Sequence, residues 1–108
     1  MARRRHAGIL LAGLLAASGT QAQTTAPLAT RSLAATCAAC HGTDGQAVGG
    51  AGMASLRGLD RQYLQAQLNA FRDGSRPATV MHQIAKGYTP EQIEQLAAYF
   101  AALPRVSP

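Results

Sequence analysis

Two cysteines and a histidine stand together in Cys37-Ala38-Ala39-Cys40-His41. This C-x-x-C-H pattern is the attachment signature of a c-type haem. Its spacing has a geometric reason. Cysteines three apart on a helical turn share a face and lie about one turn's rise from each other, which lets two sulfurs reach the vinyl-derived carbons of adjacent pyrroles on one porphyrin. His41 then follows at once and can set an imidazole nitrogen over the iron.

Three other chemistries use the same cysteines. A Cys37–Cys40 disulfide is the plain alternative in an exported protein. A thioredoxin-like redox pair needs a neighbouring βαβ pattern, and none is visible. Zinc needs four ligands, and beyond these three only His82 remains past the leader. Haem is the reading that motif, helix placement and export signal share.

The other face of the iron needs its own ligand, for which Met53, Met81 and His82 are the candidates. Met53 sits in a glycine-rich loop that must emerge on the side of His41. Met81 is far enough along the chain to reach the opposite face and is the expected distal ligand, with His82 or an open position as the alternatives; without the haem motif both methionines would be read as flexible core fillers. His/Met ligation stabilises ferrous iron and closes it to oxygen, which gives an electron carrier. Tyr63, Arg76 and Tyr88 have donors suited to haem propionates, but each also reads as an ordinary surface or packing residue.

The elements that must position these groups are helical. From Leu28 a helix is expected to run through Leu33, Cys37 and Cys40 to His41, with Gly42 ending it in the left-handed conformation. The glycine-rich stretch 42–59 is expected to be an irregular loop packed around something. Asp60 caps a second helix with the stripe Leu64, Leu68, Phe71, ending near Asp73-Gly74. A short segment from Thr79 to Ala85 follows, closed by Gly87. Thr89, Pro90 and Gln92 open the last helix with a capping box, and Ile93, Leu96, Ala97, Phe100 and Leu103 form its apolar face. Nothing alternates as a strand does. The expected fold is all-α, about four short helices wrapped around one covalent haem.

With 108 residues there is room for one domain. Residues 1–22 read as a cleavable signal peptide: Arg3, Arg4 and Arg5, an apolar run from Ala7 to Ala17, then Thr20-Gln21-Ala22. That run is shorter than the roughly 20 residues a bilayer span needs, so no stable membrane insertion is expected. Residues 23–108 are the expected haem domain, and the expected location is the periplasm. Cleavage would leave seven Lys and Arg against five acids, too few for the phosphate neutralisation on which nucleic-acid binding depends. Five Phe and Tyr residues and no Trp make a sparse interior, and a flat apolar prosthetic group would fill it.

Beyond these features, Cys37–His41 with Gly42-Thr43-Asp44-Gly45, then Tyr63-Leu64, Gln67-Leu68, Phe71-Arg72-Asp73-Gly74 and the run from Met81 to Phe100 resemble class I cytochromes c of the cytochrome c4 type. The Met-x-x-Ile-Ala-Lys-Gly-Tyr-Thr stretch from Met81 is especially similar to the cytochrome subunit of flavocytochrome c sulfide dehydrogenase. That resemblance implies Met81 as distal ligand and an FAD-containing sulfide dehydrogenase subunit as partner, from which electrons pass through the haem to a downstream acceptor. It equally suits a freely diffusing carrier of the cytochrome c4 or c5 kind. Family members often carry proline where this chain has Ala54, and the carbonyl of that residue helps orient the proximal histidine. Some members have two haem domains, where this chain has one motif.

Overall fold

The computed structural model describes residues 25–49 and 52–106; the expected leader lies outside them. Among these residues there is no strand, and five α-helices and one 3-10 turn follow in order. They are α1 (Leu28–Ala35), α2 (Ala38–His41), the turn Thr43–Gly45, α3 (Arg61–Asp73), α4 (Met81–Lys86) and α5 (Pro90–Ala102). α5 is central: α1 and α3 both pack on it, and α4 packs on α3.

The helix expected from Leu28 to His41 is divided in two. The Thr36 hydroxyl donates to the Leu33 carbonyl at 2.7 Å, and the Thr36 and Cys37 N–H groups reach back three residues, to Leu33 and Ala34. This local bonding tightens the turn and competes with the α-helical ladder. Thr36 and Cys37 keep helical dihedrals, so α2 resumes directly and carries Cys40 and His41.

Gly42 does end α2, though by a different conformation from the left-handed one expected. Its φ of 80° is paired with ψ of 165°, and a Cβ there would sit 1.9 Å from the Gln46 carbonyl oxygen. Only glycine fits this reversal. The Gly45 N–H then bonds Gly42 O at 2.9 Å, closing the 3-10 turn. Asp44 holds φ of 52° inside it, where the Tyr99 hydroxyl donates to its carboxylate at 2.9 Å and Arg57 stands 3.6 Å away.

Gly45 is the clasp of the long loop. Its carbonyl accepts from the N–H groups of Leu56 and Arg57 and from the Ser55 hydroxyl, while Gly58 N–H donates to Phe100 O at 2.8 Å. Both ends of the loop are thereby tied to the α2 exit and to α5, and the residues just before Ser55 are carried back beside His41.

The remaining helices start and stop largely as their sequences dictate. Asp60 accepts from Tyr63 N–H at 2.8 Å, and Gly74 takes the left-handed conformation. Thr89 and Gln92 form the expected reciprocal capping box before Pro90. α4 begins at Met81, two residues later than expected, and has no side-chain cap. The core is Ala34, Leu64, Leu96, Ala97 and Phe100, with Leu33, Leu56, Leu59 and Leu68 around it; Ala85 and Ile93 are also fully buried. Three of these seven buried apolar residues are alanines. Since a buried Leu, Ile or Phe contributes only about 1.5–3 kcal/mol, protein side chains alone make a thin core for a domain of this size.

Candidate functional site

The core is thin because the helices leave a cleft of about 290 Å³ between them. Cys37, Cys40 and His41 line it, as do Met81 and Ile84 of α4 and Leu64, Leu68 and Phe71 of α3. Leu96, Ala97 and Phe100 of α5 and the loop residues Met53 and Ala54 complete the apolar wall. Several of these apolar groups are open to solvent, with Met53 47 %, Tyr63 51 % and Ile84 38 % exposed. A small protein rarely leaves such residues uncovered around one concavity unless something apolar sits on them.

The thiols of Cys37 and Cys40 are free and both face this cleft. Burial pushes the Cys37 thiol above its ordinary value, outweighing the hydrogen-bonding hydroxyls of Thr36 and Tyr88 that act the other way. A thiol-disulfide enzyme needs the opposite, a thiolate favoured by its surroundings.

The orientation of His41 is determined by one contact. Its Nδ1 lies 2.7 Å from the Ala54 carbonyl oxygen. A carbonyl only accepts, so Nδ1 carries a proton, and it is Nε2 whose lone pair is offered when the ring is neutral. That is the arrangement by which a second partner fixes the ring and tautomer of a metal-binding histidine. Met53 immediately precedes the bonded residue, which ties it to the histidine's side, whereas Met81 comes from the separate helix α4.

Every residue expected at the site therefore lies on a single cleft: Cys37, Cys40, His41 and Met81, together with Tyr63, Arg76 and Tyr88. His82 is not part of its lining; among the described residues its Nδ1 is buried without a hydrogen-bond partner. Gln67, named above only for the resemblance and not as a site residue, also lines the cleft. Its signal was present, because it sits three residues after Leu64 and four before Phe71 and so shares their helical face. The residues fit a covalently attached haem. Paired thiols one turn apart, an oriented imidazole, a thioether and an apolar enclosure form the donor set such a group requires.

Comparison with known proteins leads to the same group. The cytochrome c family model matches residues 29–104. The cytochrome subunit of sulfide dehydrogenase from Chlorobaculum tepidum is 42 % identical over 103 residues, covering 85 % of this chain and 92 % of that protein. A thiosulfate dehydrogenase electron acceptor from Thiomonas intermedia is 44 % identical over 70 residues, covering 65 % of this chain and 32 % of its own length. A solved cytochrome c4 from Acidithiobacillus ferrooxidans superposes with a TM-score of 0.61 at 33 % identity, over 70 % of this chain and 51 % of that one. The chain thus spans about a third of the thiosulfate acceptor and half of the cytochrome c4, but nearly all of the sulfide dehydrogenase subunit. It belongs to the cytochrome c family, whose members carry haem c in covalent linkage.

Proposed function

We propose that this chain is a periplasmic monohaem cytochrome that serves as the electron-accepting subunit of a flavocytochrome c sulfide dehydrogenase. The observation that carries the haem assignment is the convergence of Cys37, Cys40, His41 and Met81 on one apolar cleft. Cys37 and Cys40 are the thioether positions, His41 the proximal ligand through Nε2, and Met81 the distal ligand. The haem supplies a one-electron change at iron. The chain's own contribution is to hold two unlike ligands in place through that change, with the His41 ring fixed by Ala54, and to exclude water with the apolar wall. Both devices keep reorganisation small.

The partner is proposed to be a flavoprotein that oxidises sulfide. Identity of 42 % across nearly the whole of a sulfide dehydrogenase cytochrome subunit supports it. Residues 1–22 direct export and are removed, leaving 23–108. Among the described residues no helix is long and apolar enough to cross a membrane.

A second reading is a free cytochrome c4-like or c5-like carrier delivering electrons to a terminal oxidase, which the structural likeness to a cytochrome c4 favours. One experiment separates the two. The holoprotein is mixed with sulfide alone and then with sulfide and the candidate flavoprotein, and haem reduction is followed optically. The subunit reading expects fast reduction only with the flavoprotein. Reduction equally fast without it contradicts that reading and leaves the free carrier.

A further inference from the structure

Tyr88 and Thr36 meet across 52 residues of chain, phenol oxygen to Oγ1, at 3.5 Å. The separation alone leaves the donor open, but the other bond of Thr36 decides it. Its hydroxyl already gives its proton to the Leu33 carbonyl at 2.7 Å, so Oγ1 is left to accept and the phenol donates. The bonds therefore run in series, from Tyr88 O–H to Thr36 Oγ1 and from Thr36 O–H to Leu33 O. The Cys37 sulfur stands beside the same phenol, but as a thioether it is only a weak acceptor.

The ends of this bond belong to opposite sides of the cleft. Thr36 closes α1 and directly precedes Cys37, at the break after which α2 carries Cys40 and His41. Tyr88 follows α4, the helix that begins with Met81, and its N–H bonds Ala85 O at 3.2 Å, which fastens it to the last turn of that helix. By itself α4 is a weak element, with six residues, no side-chain cap and one buried residue, Ala85. A helix of that length is not stable alone in water, so its place depends on its packing against α3 and on whatever secures its ends. Among the described residues, no other hydrogen bond joins residues 28–41 to residues 80–90.

Resting on the assignment of Met81 as distal ligand, we propose that Tyr88 and Thr36 are positioning residues for that ligand. Their hydrogen bond latches the end of α4 to the element that carries the thioether cysteines, and so holds Met81 against exchange for an outside ligand. The phenol has a single proton, and the latch uses it in place of the propionate contact that a tyrosine also suits. The pair is exposed and its separation is long for an O–H···O bond, which puts the expected effect at the low end of what one hydrogen bond contributes.

The test is imidazole binding to the ferric holoprotein, because imidazole takes the iron only when Met81 leaves it; loss of the iron–thioether charge-transfer band follows the exchange. Tyr88→Phe keeps the ring and loses the proton, and is expected to bind imidazole about two- to threefold more tightly. In a Thr36→Val background the same substitution is expected to add nothing, since its partner is already gone. Thr36→Ser keeps the acceptor and should bind imidazole as the unaltered chain does. Tyr99→Phe removes a hydrogen bond outside the cleft lining and should leave the affinity unchanged.

A Tyr88→Phe protein that binds imidazole no more tightly than the unaltered chain overturns the latch. So does an equal gain with and without the Thr36 hydroxyl, since the phenol then acts through another group. A gain as large from Tyr99→Phe also overturns it, because any lost hydrogen bond would then loosen the ligand. An unaltered ferric protein that lacks the iron–thioether band overturns the ligand assignment itself, and the latch with it.

Discussion

His41 Nδ1 meets the carbonyl oxygen of Ala54, thirteen residues further along the chain, at 2.7 Å. The contact exists because Gly45 gathers Ser55, Leu56 and Arg57 onto the turn that follows His41. The histidine's tautomer is thus set by how the glycine-rich loop is tied down, and not by its immediate neighbours.

The first prediction concerns the stiffness of that loop. Ala54 N–H makes no hydrogen bond among the described residues, so proline can replace it without removing one. Ala54→Pro is expected to stabilise the holoprotein by about 0.4–1 kcal/mol through a more restricted unfolded chain. Thermal unfolding checks it, and a lowered Tm would show that the residue's backbone angle does not suit proline.

Met53 and Met81 both line the cleft, and their substitution tells them apart. Met81→Ala is expected to open the iron, lower the reduction potential and allow the ferrous protein to bind carbon monoxide. Met53→Ala should do neither. Carbon monoxide titration with optical detection is the measurement, and the reversed pattern would move the distal ligand to Met53.

Gly42 and Gly74 both have positive φ, but only one is crowded. A Cβ at Gly42 would meet the Gln46 backbone at 1.9 Å, while one at Gly74 would have nothing within 4 Å. Gly74→Ala is expected to cost about 1 kcal/mol, the intrinsic penalty of a left-handed residue. Gly42→Ala adds a backbone collision to that penalty and is expected to cost upwards of about 2 kcal/mol. Urea unfolding of the two holoproteins compares them, and equal losses would contradict the crowding seen at Gly42.

Tyr99 gives the fold an alkaline limit. Burial, then the hydrogen bond to Asp44 and its charge, hold the phenol above its ordinary value of 10.0. The unfolded chain therefore loses this proton first. Stability is fully present below about pH 10 and falls as pH rises from there through the folded-state value. Tyr99→Phe should flatten this part of the stability–pH curve, measured by urea unfolding between pH 8 and about pH 11. A slope unchanged by the substitution would assign the limit to another group.

How much of this was legible beforehand depended on the range of the interactions. Asp60, Gly74 and the Thr89–Gln92 box announce helix ends through bonds spanning three or four residues, and the structure has them where the sequence puts them. The break at Thr36 was hidden because alanine-rich propensity on both sides outweighs one hydroxyl's local bond. The unusual angles of Gly42 arise from the loop returning to Gly45, which no local pattern encodes. At the site, the cysteines and His41 were readable from spacing alone, and Ala54's part from family resemblance. Gln67 is legible as part of the family resemblance, but its place on the cleft wall shows only once α3 is packed against the other helices.

The central claim is that Cys37 and Cys40 hold one haem by two thioether bonds. Intact mass of the polypeptide, expressed with haem-attachment machinery and exported, tests it most directly. The account predicts a chain shortened by residues 1–22 and heavier by a single haem that survives denaturation. Two unmodified thiols, or a cystine joining them, would contradict it.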